Sequence, residues 1–221
     1  IAAGVGSDGQ TAAVITRNNQ LVAMADGREL WRARLPARSF TSPLVAGQRV
    51  FVLTADRTVT AFDGKTGARL WSQNRPAEPL VLSQTGALLA VGDTLVAGLS
   101  GRLVGLNPDN GAVRWEVPVA TSRGTNEVER LVDIVGPVSR IGSSVCGRAY
   151  SAAVGCVDAS RGTLAWTDAA ARFAEAIAPC SAAARAAGVK LSLEPTSHLY
   201  ADASIAHRLT DTVALVVAAD I

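Results

Sequence analysis

The sequence predicts a mainly β fold: a partial β-propeller of about four four-stranded blades, followed by a short α/β fragment. Three observations carry that expectation. They are a repeated turn-and-tryptophan unit, a period near 40 residues, and alternating apolar runs between the repeats. The unit is best kept at Asp63-Gly64-Lys65-Thr66-Gly67-Ala68-Arg69-Leu70-Trp71. Asp26-Gly27-Arg28-Glu29-Leu30-Trp31 is a shortened copy. Asn107-Pro108-Asp109-Asn110-Gly111-Ala112-Val113-Arg114-Trp115 is a third, and Asp158-Ala159-Ser160-Arg161-Gly162-Thr163-Leu164-Ala165-Trp166 a fourth. All four tryptophans, Trp31, Trp71, Trp115 and Trp166, end a copy, 40, 44 and 51 residues apart. Such a period, with several short strands per unit, marks a propeller blade. Asp or Asn with Gly turns a hairpin where positive φ must be tolerated. The tryptophan then plugs the gap between neighbouring blades, where one large side chain buries much area.

Taken in order, the chain opens on Gly4-Val5-Gly6-Ser7-Asp8-Gly9, which has the glycine spacing of a dinucleotide-binding loop. That loop must open a helix whose N-terminus meets the pyrophosphate. A β-like run, 11–16, follows instead, so a glycine-rich turn is expected. In the second repeat, strands are expected at 43–46, 49–54, 58–63 and 68–73, where Val50, Val52, Val59, Ala61 and Leu70 supply period-2 patterning. The third repeat follows the same plan at 88–91, 94–99, 102–107 and 112–117. Each unit is a four-stranded antiparallel sheet that cannot bury both faces alone and must stack on neighbours.

The longer spacing between Trp115 and Trp166 accommodates a polar insertion, roughly 120–130. Insertions in repeat proteins project from one face, often the binding face. A solvated surface loop is the plainer alternative. Cys146 and Cys156 flank a hairpin turn near Tyr150-Ser151-Ala152 and lie roughly opposite each other on adjacent strands. Two readings stay open: a cross-strand disulfide in an oxidising compartment, or two small buried thiols. Cys180 has no evident partner in the sequence.

From Asp168 the character changes, which divides the chain into a propeller part, 1–167, and a tail, 168–221. Asp168 can cap a helix over 169–178, and Pro179 can restart one at its first turn. The Ala-rich run 180–187 continues as helix and Gly188 is a natural stop. Residues 189–194 read as a strand ended by Pro195, 203–209 as a helix, and 212–219 as either. Helix, strand, helix is α/β grammar.

Several function classes drop out. Charged residues are 18% and the net charge is +2, with no Lys/Arg run, so nucleic acid is not an expected partner. No apolar run reaches the ~18 residues needed to span a bilayer. No signal peptide or initiator Met is present, so a segment cut from a longer protein is expected. Both histidines, His198 and His207, lie in the tail, so the propeller part offers no His base and no His metal ligand. Neither catalysis nor a cofactor is expected. Glu194 is the one residue with a sharper alternative. It ends a predicted parallel strand beside His198, where (β/α) barrels place metal-binding residues. A solvated loop acid is the favoured reading.

The repeats resemble the pyrroloquinoline-quinone-type propeller repeat and, within that superfamily, the BamB-type outer-membrane assembly factors. Three stretches carry the closer likeness: 4–9, Gly101-Arg102-Leu103-Val104-Gly105-Leu106, and Gly124-Thr125-Asn126-Glu127-Val128-Glu129-Arg130-Leu131-Val132-Asp133. The last is similar to the family's G-x-x-E-x-x-R-L-x-D segment. The resemblance covers about 1–167. It implies a non-enzymatic periplasmic lipoprotein that helps fold and insert outer-membrane β-barrels. It implies docking on the periplasmic domains of the central BamA subunit, with unfolded outer-membrane proteins as further partners. Attachment to the membrane would run only through a lipid anchor that this sequence does not contain.

Carried over residue by residue, Leu80-Val81-Leu82 resembles the family's L-x-L docking segment, with Ser83 where a basic residue is expected. Glu129, Arg130 and Asp133 match the second partner-facing loop. Exposed apolar anchors beside a few charges are the usual composition of a hot spot with a polar rim. Two rival readings follow from likeness. One is a quinone-dependent dehydrogenase of the same superfamily, which usually has a vicinal cysteine pair that Cys146 and Cys156 do not form. The other is a metal-dependent sugar isomerase or epimerase. Residues 188–195 resemble a strand of the xylose-isomerase-like barrel, in which Glu194 would ligate a divalent metal. Because an assembly scaffold does not ordinarily continue into such a barrel, an accidental fusion of two gene fragments is expected at 166–168.

Overall fold

Four antiparallel meanders follow one another along the chain. The first is β1 (Gly6–Ser7), β2 (Ala12–Ile15), β3 (Gln20–Ala25) and β4 (Arg28–Arg34). The second is β5 (Leu44–Ala46), β6 (Arg49–Leu53), β7 (Thr58–Asp63) and β8 (Arg69–Asn74). The third is β9 (Leu88–Val91), β10 (Thr94–Leu99), β11 (Arg102–Leu106) and β12 (Val113–Pro118). The fourth is β13 (Ile134–Ile141), β14 (Ser144–Ala149), β15 (Val154–Asp158) and β16 (Thr163–Leu164), and helix α1 (Trp166–Ala186) follows. This computed structural model describes residues 3–75, 82–83, 86–120, 126, 128, 131–150, 154–164, 166–189, 213 and 216–217. Within each sheet the strands pair in chain order. The first strands of the first three sheets, β1, β5 and β9, neighbour one another, so they form the inner edge. The last strands, β4, β8 and β12, form the rim.

The sheets stack through three apolar layers. Along β6, Val50 and Val52 face the first sheet while Phe51 and Leu53 face the third. The period of two thus sends alternate side chains into two different cores. Along β10, Leu95, Ala97 and Leu99 join the layer with the second sheet, and Val96 the layer with the fourth. Eleven of the largest such side chains, Phe51 and Leu103 among them, are almost wholly withdrawn from solvent. Each contributes about 1.5–3 kcal/mol relative to exposure, which is why sheets with two apolar faces must stack. The first-repeat turn Asp26-Gly27 holds positive φ at both residues, 50° and 73°, as a two-residue hairpin demands. Gly4–Gly9 opens no helix: β1 lies within it, and Asp8 Oδ1 accepts the Gln10 and Thr11 N–H groups.

Two expectations for the tail need correction. Helix α1 is one helix that passes through Pro179, rather than two helices with Pro179 restarting the second. The Ala-rich flanks have the highest helix propensity and carry the chain across the one lost hydrogen bond. The helix also begins at Trp166, so Asp168 sits in the first turn instead of capping it. The fourth repeat therefore ends in a helix, after a last strand of only two residues, Thr163–Leu164. Gly188, at φ +68°, closes the helix: its N–H donates to Arg185 O, and Val189 N–H to Ala184 O. That is the paired capping pattern of a helix C-terminus. No helix among the described residues is long and apolar enough to cross a membrane. Cys180 is an exposed free thiol. Of the expected strand at 189–194, Val189 belongs to the helix cap and the rest lies outside the described residues, as do the expected helix at 203–209 and Glu194, His198 and His207.

Candidate partner-docking surface at the connector end

Consecutive antiparallel strands reverse direction, so each meander has two ends. The first-to-second and third-to-fourth turns share one end. The second-to-third turns share the other with the connectors that lead to the next sheet. These two ends are built differently.

The first is the repeat end. Asp63 Oδ1 accepts the Lys65 N–H, the Thr66 N–H and the Thr66 hydroxyl, at 3.0, 2.8 and 2.8 Å. The Thr66 hydroxyl is the main cause that holds the Asp63 carboxyl below the usual carboxylate range. In the fourth sheet the Ser160 hydroxyl does the same for Asp158. In the third, Asn107 Oδ1 accepts the Asp109 N–H at 2.8 Å. Each turn then receives the tryptophan of the preceding sheet. Trp31 Nε1 donates to Gly64 O, Trp71 Nε1 to Pro108 O and Trp115 Nε1 to Ala159 O, each at 2.9 Å.

Two details aim these rings. A register shift precedes each tryptophan, between Ala23/Met24, Ala61/Phe62 and Gly105/Leu106, and re-aims the side chain. The turn glycines then lie under the ring: a Cβ on Gly67 would stand 2.6 Å from Trp31, and one on Gly111 2.6 Å from Trp71. The side chain of Trp166 lies outside the described residues.

The connector end carries Leu82 and Asp133, two of the residues that sequence reasoning singled out for a partner. A half-open recess of about 50 Å³ lies there, lined by Thr41, Leu53, Arg57, Leu82, Ser100 and Asp133 among others. All three connectors and two second-to-third turns contribute to it. Its size suits one or two waters rather than a cofactor. Leu82 and Asp133, 51 residues apart, meet on its wall: Leu82 N–H donates to Asp133 Oδ2 at 3.2 Å. The other carboxylate oxygen pairs with Arg57 Nη2 at 3.1 Å, and both side chains are largely buried, 10% and 14% exposed. At the start of the same connector, Arg75 pairs with Glu116, which also pairs with Arg102. Leu80, Glu129 and Arg130 lie outside the described residues. Arg57, Arg75 and Glu116 were not singled out from sequence. Arg57 stands in an ordinary turn pattern, and nothing local marks a partner 76 residues away.

In the fourth sheet Cys146 and Cys156 form a disulfide across β14 and β15, with Cα atoms 4.0 Å apart. Among the described residues, no three His, Cys, Asp or Glu side chains cluster to hold a metal ion.

The fold and this surface define a section of a β-propeller whose blades are locked by tryptophan and joined by divergent connectors. The family model described as outer membrane protein assembly factor BamB matches residues 1–183, and the chain belongs to that family. It is 37% identical over 164 residues to the assembly factor BamB of Bordetella pertussis, covering 73% of this chain and 42% of that protein. It is also 37% identical over 169 residues to that of Burkholderia pseudomallei, covering 75% and 44%. The chain thus spans under half the length of these curated relatives. Among solved structures, BamB from Moraxella catarrhalis superposes with a TM-score of 0.69 at 27% identity, over 74% of this chain and 51% of that one. A europium-containing methanol dehydrogenase, at 15% identity and a TM-score of 0.56, shares the fold alone.

Proposed function

We propose that the chain is part of a non-enzymatic scaffold of the outer-membrane β-barrel assembly machinery. It binds the periplasmic domains of the central, BamA-type subunit. The observation that carries this reading is the meeting of Leu82 and Asp133 on one recess at the connector end. Two segments far apart in sequence, each resembling a family docking segment, share one face. Leu80 and Leu82 act as apolar anchors and Glu129 and Arg130 as the charged rim, while Asp133 is the partner-binding residue whose largely buried carboxylate joins the two segments. Unfolded outer-membrane proteins are further partners of the assembled complex.

The location that goes with this reading is the periplasmic face of the outer membrane, reached through a lipid anchor outside this sequence. The Cys146–Cys156 disulfide supports an oxidising compartment. The division into a propeller part, 1–167, and a tail, 168–221, with the tail's likeness to a sugar isomerase barrel, belongs to the same proposal. The test is binding of the chain to the isolated periplasmic domains. Arg130→Glu and Leu80→Asp should each weaken it at least tenfold, about 1.4 kcal/mol. Unchanged binding in both variants would sink the site assignment.

A further inference from the structure

Three second-to-third turns occupy the same place at the connector end, and each has a residue at positive φ there. Asn19 stands at 61° in the first sheet, Arg57 at 59° in the second, and Ser100 and Gly101 at 50° and 74° in the third. In all three the backbone carbonyl accepts an N–H from the start of the outgoing connector: Leu35 at 3.0 Å, Arg75 at 3.4 Å, and Val119 at 2.9 Å. The backbone role is therefore common to the three sheets. The side chains differ. Gly has none. Asn19 Nδ2 stays local and donates to Leu35 O and Ala37 O, at 2.9 and 2.8 Å. Arg57 reaches across to Asp133.

Asn and Gly are the residues that tolerate this left-handed backbone, whereas other L-residues pay about 1–2 kcal/mol for it. The rest of the Arg57 turn is over-determined. Thr54 O accepts the Arg57 N–H at 2.9 Å, and Asn74 Nδ2 donates to Asp56 O at 3.2 Å. A strained residue held by a turn that would close more easily with Asn points to a use for its side chain.

That use is legible in the contacts. The Arg57 carbonyl holds the N–H of Arg75, at the start of the 75–82 connector. The Arg57 guanidinium holds Asp133, whose second oxygen holds the N–H of Leu82, at its end. One residue thus contacts Arg75, where the chain leaves the second sheet, and through Asp133, just ahead of the fourth sheet, it is linked to Leu82. We infer that Arg57 is a positioning residue for partner docking. Through Asp133 it fixes Leu82 and the 131–133 segment in one arrangement, so that both present to the same partner. This rests on the docking proposal above.

The experiment uses Arg57→Asn, Arg57→Lys and Asp133→Asn in the full chain, with the BamA-type periplasmic domains as probe. Arg57→Asn keeps a residue suited to the turn but leaves the largely buried Asp133 carboxylate without its guanidinium; the double variant with Asp133→Asn removes that charge, so its thermal unfolding should stay within a few degrees of the parent. Affinity for the probe should fall about tenfold, within the usual span of coupling between sites. Amide exchange at Leu82 should quicken in Arg57→Asn and in Asp133→Asn alike. Arg57→Lys, which keeps the charge, should recover part of the affinity. The double variant should be no weaker than Asp133→Asn alone, because the two act through one contact. If Arg57→Asn binds as tightly as the parent while Leu82→Asp does not, the inference is overturned and the docking surface stands. If Leu82→Asp also binds normally, the docking proposal itself has failed.

Discussion

The two ends of the blades follow opposite rules. At the repeat end one contact is made three times: a rim tryptophan donates to a carbonyl in the next turn and lies over that turn's glycine. At the connector end the decisive contacts occur once each. Arg57–Asp133, Asp133–Leu82 and Arg75–Glu116 have no counterpart in the first sheet, where Asn19 satisfies its own connector. The repeat end is therefore architecture, and its parts are interchangeable between blades. The connector end uses the same backbone frame with unlike side chains, and there the two segments likened to docking segments meet, at Leu82 and Asp133.

The largest test of that division is Trp31→Ala. The ring is 9% exposed, packs on Phe62 at 6.1 Å and donates to Gly64 O. Its loss should cost about 3–5 kcal/mol, the usual price of emptying a large aromatic site. Urea unfolding reads it, with the midpoint displaced and the slope kept. A shift no larger than that of the double variant Arg57→Asn with Asp133→Asn, which leaves no unpaired charge, would erase the distinction between the two ends.

Next comes the disulfide. The fourth sheet has an irregular noncovalent ladder. Pairing of β13 with β14 is irregular between Val135 and Ser139, Gly147 faces Gly155, and β16 has two residues. Closing a loop with a sequence separation of 10 stabilises by about 2–3 kcal/mol, largely by restricting the unfolded chain. Cys146→Ala with Cys156→Ala should lower the unfolding midpoint accordingly and raise amide exchange first in β14 and β15. Exchange rising equally in the first sheet would mean that the disulfide supports the whole stack instead.

A smaller effect sharpens the role of the turn glycines. Gly67→Ala places a methyl 2.6 Å from Trp31 at φ +72°, and should cost about 1–3 kcal/mol. Gly142→Ala has the same backbone problem at φ +58° with nothing within 4 Å of the new methyl. It should cost only about 1 kcal/mol. Equal costs would show that backbone strain, and not ring packing, sets the glycine requirement.

How much of this was open to a reader of the sequence follows the same division. Repeated chemistry is visible because it recurs. Asp63, Gly67 and Trp71 declare a turn, a close approach and a plug, and the strand limits follow to within a residue or so. Convergence is invisible because it is singular. Nothing near Arg57 announces Asp133, and nothing near Arg75 announces Glu116. The resemblance found Leu82 and Asp133 separately, but not that one donates to the other. In α1 the local rule for Pro179 lost to the helix propensity of the alanines around it.

Acid gives the finest discrimination, because the third repeat is its own control. Asp63 is held below the usual carboxylate range by the Thr66 hydroxyl first, then by the Thr66 and Lys65 N–H groups. Asp158 is held there by the Ser160 hydroxyl, then the Ser160 N–H. A carboxyl with a lowered folded value contributes its stabilisation in full above its unfolded value, near 3.9, and loses it as pH falls through the folded value. Both groups are exposed, so the effect on global stability is slight. The local effect is specific. Below about pH 4, protection of the Thr66 and Ser160 amides should fall, because a protonated carboxyl is a poorer acceptor. Asn107 makes the same contact to the Asp109 N–H without a titrating group, so protection there should hold. If all three amides lose protection together, the acid transition is global, and the repeated turns do not loosen one by one.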